Sequence, residues 1–526
     1  MLNRLLWVLA LAAGWASENS TAHGVVYNDL NHDGKRGVHE PGLRGVRVSN
    51  GVDIVKTDRD GRWQLPVLDA PCEFFVLKPE GWMVPLTDQN VPQFFYVHRP
   101  LGSPNMRFAG VEPTGPLPDS IDFPLVPHDE SGPFRALMVG DPQPRDLQEV
   151  AWLSHDIAEN FADWSGAFAV TLGDITFDNL SLFEPLNQMW AQVGVPWWQV
   201  IGNHDVNRDV KDDAWSAESY ARFYGPTTYS FDWGSAHFLV LDNVFYPKPE
   251  PGKNLDGYQG FLTERVLQFA KNDLAAVSKD KLVVVLMHIP FYNTGNAGDF
   301  YRLLEPFPFA LSVAGHMHTH ENHFLDQDDG WRGAEPHHHV VNVTACGSWF
   351  TGAPDEQGIP HTTMRDGAPN GVSVFEFDGV GYGIEFVPAR RPASQQMTLH
   401  LADFILPEEL RSETGVRFHA NVFNGSERSI VRWRIDDGDW ASMTKVLEPD
   451  PLYEETRLRE NSVLGSEKPF AWRKLPKAAD RCTHLWAATL SADLPIGRHV
   501  VTVEEVDMFG KVHLAQREFS VRKPLR

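Results

Sequence analysis

"RALMVGDPQPRD" occupies residues 135–146. An apolar run climbs to Val139, a glycine follows, and Asp141 and Gln143 then stand two residues apart. A glycine at a strand end lets the backbone turn sharply and approach a ligand closely. The same grammar recurs downstream. "FAVTL" runs into Gly173-Asp174, "WWQVI" into Gly202-Asn203-His204-Asp205, "KLVVVLM" into His288-Ile289-Pro290, and "ALSVA" into Gly315-His316-Met317-His318. Between these runs lie helical periods: Leu147, Val150, Ala151, Ile157, Ala158 and Phe161 on one face, and Phe183, Leu186, Trp190 and Val193 on another. Strands alternating with helices predict an α/β layered domain. Five strand ends then deliver carboxylate, amide and imidazole groups to one edge of a sheet, where open α/β sheets place their sites. Each motif alone is an ordinary turn. Together they form the mixed oxygen and nitrogen set that hard or borderline divalent cations favour.

Order and residue types resemble the successive motifs of the calcineurin-like metallophosphoesterases: Asp-x-His, Gly-Asp, Gly-Asn-His-Asp/Glu, His and Gly-His-x-His. The similarity covers roughly residues 134–390. It is closer still to a bacterial exported subgroup with β-modules on both sides, through "GSWFTGAPDEQGIPHTTMRDGAPNG" (347–371) and "TVEEVDMFGK" (502–511). The resemblance implies a central two-sheet β-sandwich flanked by helices in an α+β/α/β multidomain chain. It implies one divalent ion on Asp141, Gln143, Asp174 and His318, and a second on Asp174, Asn203, His288 and His316. Two ions about 3.5–4 Å apart clamp a phosphoryl group and acidify water for in-line attack. His204 would donate to a phosphate oxygen or protonate the leaving alkoxide, in a catalytic group with Asp205 and Asp178.

Two departures stand out. Gln143 occupies a position where many relatives have His, and its neutral amide shifts the expectation from Zn²⁺ towards Mn²⁺, Fe or Mg²⁺, with Mn and Fe favoured. Asp178 lies four residues after Asp174, one more than in the protein-phosphatase branch.

The rest of the chain bounds this reading. With 526 residues, several domains are expected. Lys plus Arg is 46 against 70 for Asp plus Glu, and the net charge of −24 disfavours nucleic-acid and anionic-lipid partners. The opening "MLNRLLWVLALAAGWASENSTA" carries an apolar run from Leu5 to about Ala16, too short to span a bilayer but suited to a secretory signal cleaved after Ala16 or Ala22. A periplasmic or secreted protein without a mature transmembrane segment is expected. Cys72, Cys346 and Cys482 form no disulfide framework. The expected layout is signal 1–22, β-module 23–118, linker 119–133, catalytic domain 134–392 and C-terminal β-sandwich 393–526.

"DLNHDGKRGVHE" (29–40) fits the EF-hand loop pattern, with Asp29, Asn31, Asp33 and Glu40 as oxygen ligands, yet its flanks read as strands. A structural Ca²⁺ site and a metal-free polar turn both remain open. Arg365 and Asn370 are candidates for substrate contact, and His320 and His323 for lining the pocket. Trp197, Trp198, Trp349 and Phe350 could stack on substrate, though core packing is the simpler role. His337, His338 and His339 form a run before "VVNV", where at most two share a strand face, and a solvated or packing role is expected of them. The resemblance implies a phosphatase acting on phosphate esters, with a phosphodiesterase of nucleotide, lipid or wall-polymer substrates as an alternative. A non-catalytic secreted glycan- or envelope-binding protein with a decayed site is the alternative from another class. Protein partners are unknown.

Overall fold

The computed structural model describes residues 20–69, 71–246, 257–463 and 473–524. The apolar run at Leu5–Ala16 lies outside them.

Two sheets form the centre. One has the order Trp197–Val200, Phe168–Leu172, Phe134–Val139, Gly371–Asp378, Gly381–Pro388, its first three strands parallel. The other runs Tyr229–Trp233, Ala236–Val240, Leu282–Leu286, Ala310–Ala314, His337–Val341, Glu321–Leu325. Phe168–Leu172 and Leu282–Leu286 are buried at every residue, so they read as continuous apolar runs rather than alternations. Between the sheets Phe168 packs edge-on against Phe231 and Phe238, at 5.4 and 5.1 Å. The motif-bearing strands are therefore split three and two between facing sheets, not set along one edge. Near the site the sheets are pinned together by Asn342 Nδ2 donating to Met138 O at 3.1 Å. Helix Leu147–Asp156 follows the first motif, with the Asp146 side chain accepting the Glu149 N–H as its N-cap.

The N-terminal module is two four-stranded sheets. Strand Phe123–Pro127 pairs in parallel with Thr21–Asn28, so much of the expected linker 119–133 belongs to this module. Thr21–Asn28 also pairs Ala22, buried, with Leu65, and a boundary at residue 22 falls inside that strand. Aromatic packing fuses the module to the centre: Phe94 lies 5.4 Å from Trp198 and 5.0 Å from Tyr229. Lys78 Nζ meets Glu130 at 2.5 Å, with both side chains almost wholly buried. Buried pairs of this kind fix an arrangement more than they add stability. His237 bridges Asp232 at 2.7 Å and Asp273 at 2.8 Å, and Arg47 of the module reaches the same Asp273 at 2.6 Å.

The C-terminal module is a sandwich of four- and five-stranded sheets around Val422, Val501 and Val503, interrupted by a helix at Pro451–Val463 that strand patterning did not signal. It grips the catalytic domain through His484, whose Nε2 lies 3.1 Å from Asp366 Oδ2. Asp366 Oδ2 also accepts the His320 N–H at 2.6 Å, and its backbone carbonyl accepts Asn421 Nδ2 at 2.8 Å.

Candidate metal centre

The five strand ends converge, and two carboxylates stitch their loops together. Asp141 accepts the His316 N–H at 2.9 and 3.1 Å, one from each oxygen, and Asp174 Oδ1 accepts the His204 N–H at 2.8 Å. Asp141, Gln143, Asp174, Asp178, His316 and His318 all have positive φ, from 41° to 77°. Such conformations cost energy for non-glycine residues and concentrate where a site over-determines the backbone. The neighbouring glycines are obligatory for a different reason. A Cβ on Gly202 would stand 1.9 Å from Asp174 N, and one on Gly315 would stand 2.5 Å from Asp141 Oδ2.

Ligand atoms of Asp174, His288 and His316 lie within 4.8 Å of one another, the one such group of His, Cys, Asp and Glu among the described residues. His288 Nε2 is 3.3 Å from Asp174 Oδ1, 3.0 Å from Asn203 Oδ1 and 3.2 Å from His316 Nδ1. Its Nδ1 is held at 2.9 Å by Leu172 O, which fixes the ring and its tautomer from behind. Against burial, the Asp174 carboxylate pushes His288 up to about 9, whereas burial and the facing His288 push His316 down to about 3. A carboxylate, an amide oxygen and a neutral imidazole thus converge on one point where positive charge is favoured. That donor set fits a divalent cation.

The other expected ligands adjoin it. His318 Nε2 lies 3.8 Å from Asp141 Oδ1, its Nδ1 faces Gly347 O, and its ring stacks on Trp349 at 4.0 Å. Burial and then the nearby Asp174 raise Asp141, although His288 opposes them; His288 and His204 hold Asp174 down despite its own burial. Two buried carboxylates a short way apart call for a shared positive charge. Gln143 turns Nε2, not Oε1, towards Asp174 Oδ2 at 2.7 Å, and Oε1 faces Cys346 Sγ at 3.7 Å. A carboxylate recruits an N–H donor, and half a turn of the amide exchanges its two ends.

His204 Nδ1 meets Asp178 Oδ1 at 2.8 Å, so the four-residue spacing reaches the imidazole once Asp178 adopts φ 60°. Asp174 and Asp178 raise His204 against the effect of its burial. Its ring stacks on Phe177 at 4.4 Å. Arg208 was not singled out by the sequence, yet its Nε lies 2.9 Å from Asp178 and its Nη2 donates to Asn203 O at 3.1 Å. Tyr258 stands edge-on over His316 at 5.7 Å. Arg208 could have been found from its place four residues after His204, whereas Tyr258 has no motif beside it.

Several expected roles are corrected. Asp205 is wholly buried, and its carboxylate is spent on the N–H groups of Ile175, Thr176 and Gly202. It braces two motif loops and has no face for substrate. Asn370 is buried, donating to Asp156 and to Ala345 O. The Arg365 side chain turns away to Lys477 O, while its N–H donates to His318 O at 3.3 Å. His320 is buried against Asn424 at 2.9 Å, and His323 pairs with Glu321 at 2.6 Å, so neither lines the centre. Trp197 and Trp198 stack on Trp190 and Phe231 in the core.

Family comparison matches this arrangement in three consecutive stretches. Residues 134–320 match the model described as calcineurin-like phosphoesterase, residues 30–111 that of its N-terminal part and residues 339–513 that of its C-terminal part. The chain belongs to the calcineurin-like phosphoesterases. It is a metallophosphoesterase, a metal-dependent hydrolase of phosphate esters. Among solved structures, purple acid phosphatase PPD1 from yellow lupin (Lupinus luteus) seeds superposes with a TM-score of 0.36 at 13% identity, over 66% of this chain and 67% of that one. No curated protein matches the chain. No described helix of this phosphoesterase is long and apolar enough to cross a membrane.

Proposed function

We propose that this phosphoesterase works with two divalent ions, Mn or Fe favoured, sharing Asp174. Asp141, Gln143, Asp174 and His318 would hold one ion, and Asp174, Asn203, His288 and His316 the other. The observation that carries the reading is the position of Asp174, which touches Gln143 at 2.7 Å on one side and His288 at 3.3 Å on the other. When bound, the ions supply Lewis-acid polarisation of the phosphoryl oxygens and acidify water. The chain's own groups do the rest. His204, aligned by Asp178, delivers a proton to the leaving oxygen. The Arg208 guanidinium, beside that pair, offers further N–H donors to an anionic ester. Gln143 contributes a neutral amide in place of an imidazole, which favours the harder ions over Zn²⁺. The opening apolar run supports export to the periplasm or beyond, testable by fractionation of cells expressing the full chain.

Purified protein is assayed for metal content and for turnover of p-nitrophenyl phosphate and bis-p-nitrophenyl phosphate. Two equivalents of metal with turnover of either ester supports the reading, and the preferred ester separates monoesterase from diesterase. Protein that binds fewer than two equivalents and stays inert after addition of Mn²⁺ or Fe²⁺ overturns it.

A further inference from the structure

The loop 29–40 lies in the N-terminal module, between strand Thr21–Asn28 and the turn that leads to strand Arg47–Ser49. Its ends are tied by backbone bonds, Asn28 N–H to Pro41 O at 2.9 Å and Asp29 N–H to Leu125 O at 2.9 Å. Inside, Asp29 Oδ2 accepts the Gly34 N–H at 2.9 Å, Asp33 Oδ1 the Lys35 N–H at 2.7 Å, and the two oxygens of Glu40 the N–H groups of Leu30 and Gly37 at 3.0 and 2.7 Å. Gly34, at the position where the twelve-residue calcium loop demands a sharp turn, has φ 70°. These bonds alone describe a well-formed turn. A separate observation points to a ligand: Asp29 is only 2% exposed, and its second oxygen, Oδ1, is buried with no hydrogen-bond donor. A buried carboxylate oxygen without a partner is costly. Burial together with the nearby Asp29, Glu40, Asp122 and Asp33 pushes the buried Tyr27 hydroxyl well up, so several negative charges act on one interior spot.

We propose that this loop is a Ca²⁺ site, with Asp29 Oδ1, Asn31 Oδ1, the Asp33 carboxylate, the Lys35 carbonyl and Glu40 as ligands. All are oxygens at positions 1, 3, 5, 7 and 12 of the loop, which is the hard-cation pattern. Six to eight oxygens at 2.3–2.6 Å suit Ca²⁺, and Mg²⁺ is disfavoured by its demand for a tight octahedron. The strands that flank the loop make the site structural rather than a helix-opening sensor. Binding requires the carboxylates to close up, since oxygens sharing one ion lie within about 5 Å of each other.

The test uses the full chain, stripped with EGTA and then saturated with Mn²⁺ so that the catalytic centre is filled. Isothermal titration with CaCl₂ should give one further site with a dissociation constant of roughly 10⁻⁴–10⁻³ M or tighter, and 10 mM Ca²⁺ should raise the melting temperature by about 1 °C or more. Equal MgCl₂ should do much less. Asp29→Asn and the exposed Asn31→Ala should each weaken the Ca²⁺ titration at least tenfold with phosphatase turnover unchanged. The two variants guard against a folding defect in either. Absence of a Ca²⁺ site in the wild type, or an unchanged titration in both variants, overturns the proposal.

Discussion

This phosphoesterase contains two groups of three histidines, and they behave in opposite ways. His337, His338 and His339 are consecutive and lie along a buried strand. Ser312 Oγ bridges His337 Nε2 and His339 Nδ1 at 2.7 Å each, while His338 takes Tyr382 Oη at 2.8 Å and Asn322 Oδ1 at 3.0 Å. Burial pushes His337 and His338 down to about 3, and they serve as neutral packing groups; both His338 nitrogens have partners, whereas His337 Nδ1 is buried without one. His288, His316 and His318 are scattered over thirty residues of sequence, yet two carboxylates stand among them. Adjacency in sequence makes a ladder of polar core residues, whereas position at a strand end makes a centre. What separates the groups is the carboxylate neighbour, not burial.

The largest effect should come from removing that neighbour. Asp174→Ala, or His316→Ala, should abolish turnover and metal content together, measured by elemental analysis on folded protein. Retention of metal by either variant breaks the comparison. His204→Asn comes next: turnover should fall roughly 10²–10⁴-fold with metal retained, if, as proposed, this imidazole donates a proton and does not ligate metal. Loss of metal in that variant would move His204 into the ligand set.

His338→Phe tests the packing ladder. It strands the Tyr382 and Asn322 partners and should cost about 1–3 kcal/mol in chemical denaturation, with metal content and turnover per folded molecule unchanged. His237 represents a third kind, buried yet charged. Burial opposes its protonation, but Asp273 and Asp232 raise it to about 8. A raised histidine contributes stability in full below its unfolded value of about 6.5, lost as pH rises through about 8, and a shift of that size corresponds to about 2 kcal/mol. Denaturation midpoints should therefore fall between about pH 6.5 and 8, and His237→Gln should flatten that slope. The smallest effect is expected from Gln143→His. It should tighten the first metal position, and unchanged affinity would mean that the amide never meets the ion.

The strand-end motifs, the glycines behind them and the helix from Leu147 were legible because each is local: an apolar run, a turn residue, a helical period. The resemblance implied two sheets, but which of them each motif strand joins was not legible, since parallel strands buried on both faces look alike whichever sheet they join. Asp205 misled because a carboxylate beside a reactive histidine reads the same whether it faces substrate or three backbone N–H groups. Asn370 and His320 misled in the same way, their partners Asp156 and Asn424 lying far off in sequence. Tyr258 stayed hidden for the converse reason, as no motif beside it marks it as a neighbour of the centre, while Arg208 was overlooked although it follows His204 by only four residues.

The clasp of His484 on Asp366 bears on how such a chain can be cut and recombined. Asp366 steadies His320, two residues beyond His318, while the adjacent Arg365 N–H holds the His318 carbonyl itself. A catalytic cassette ending at residue 392 would keep every expected ligand, yet leave Asp366 without its imidazole and Asn421 partners from the sandwich. The C-terminal module thus braces the loop that carries the last two histidines, and exchanging it as a detachable tail would remove these contacts.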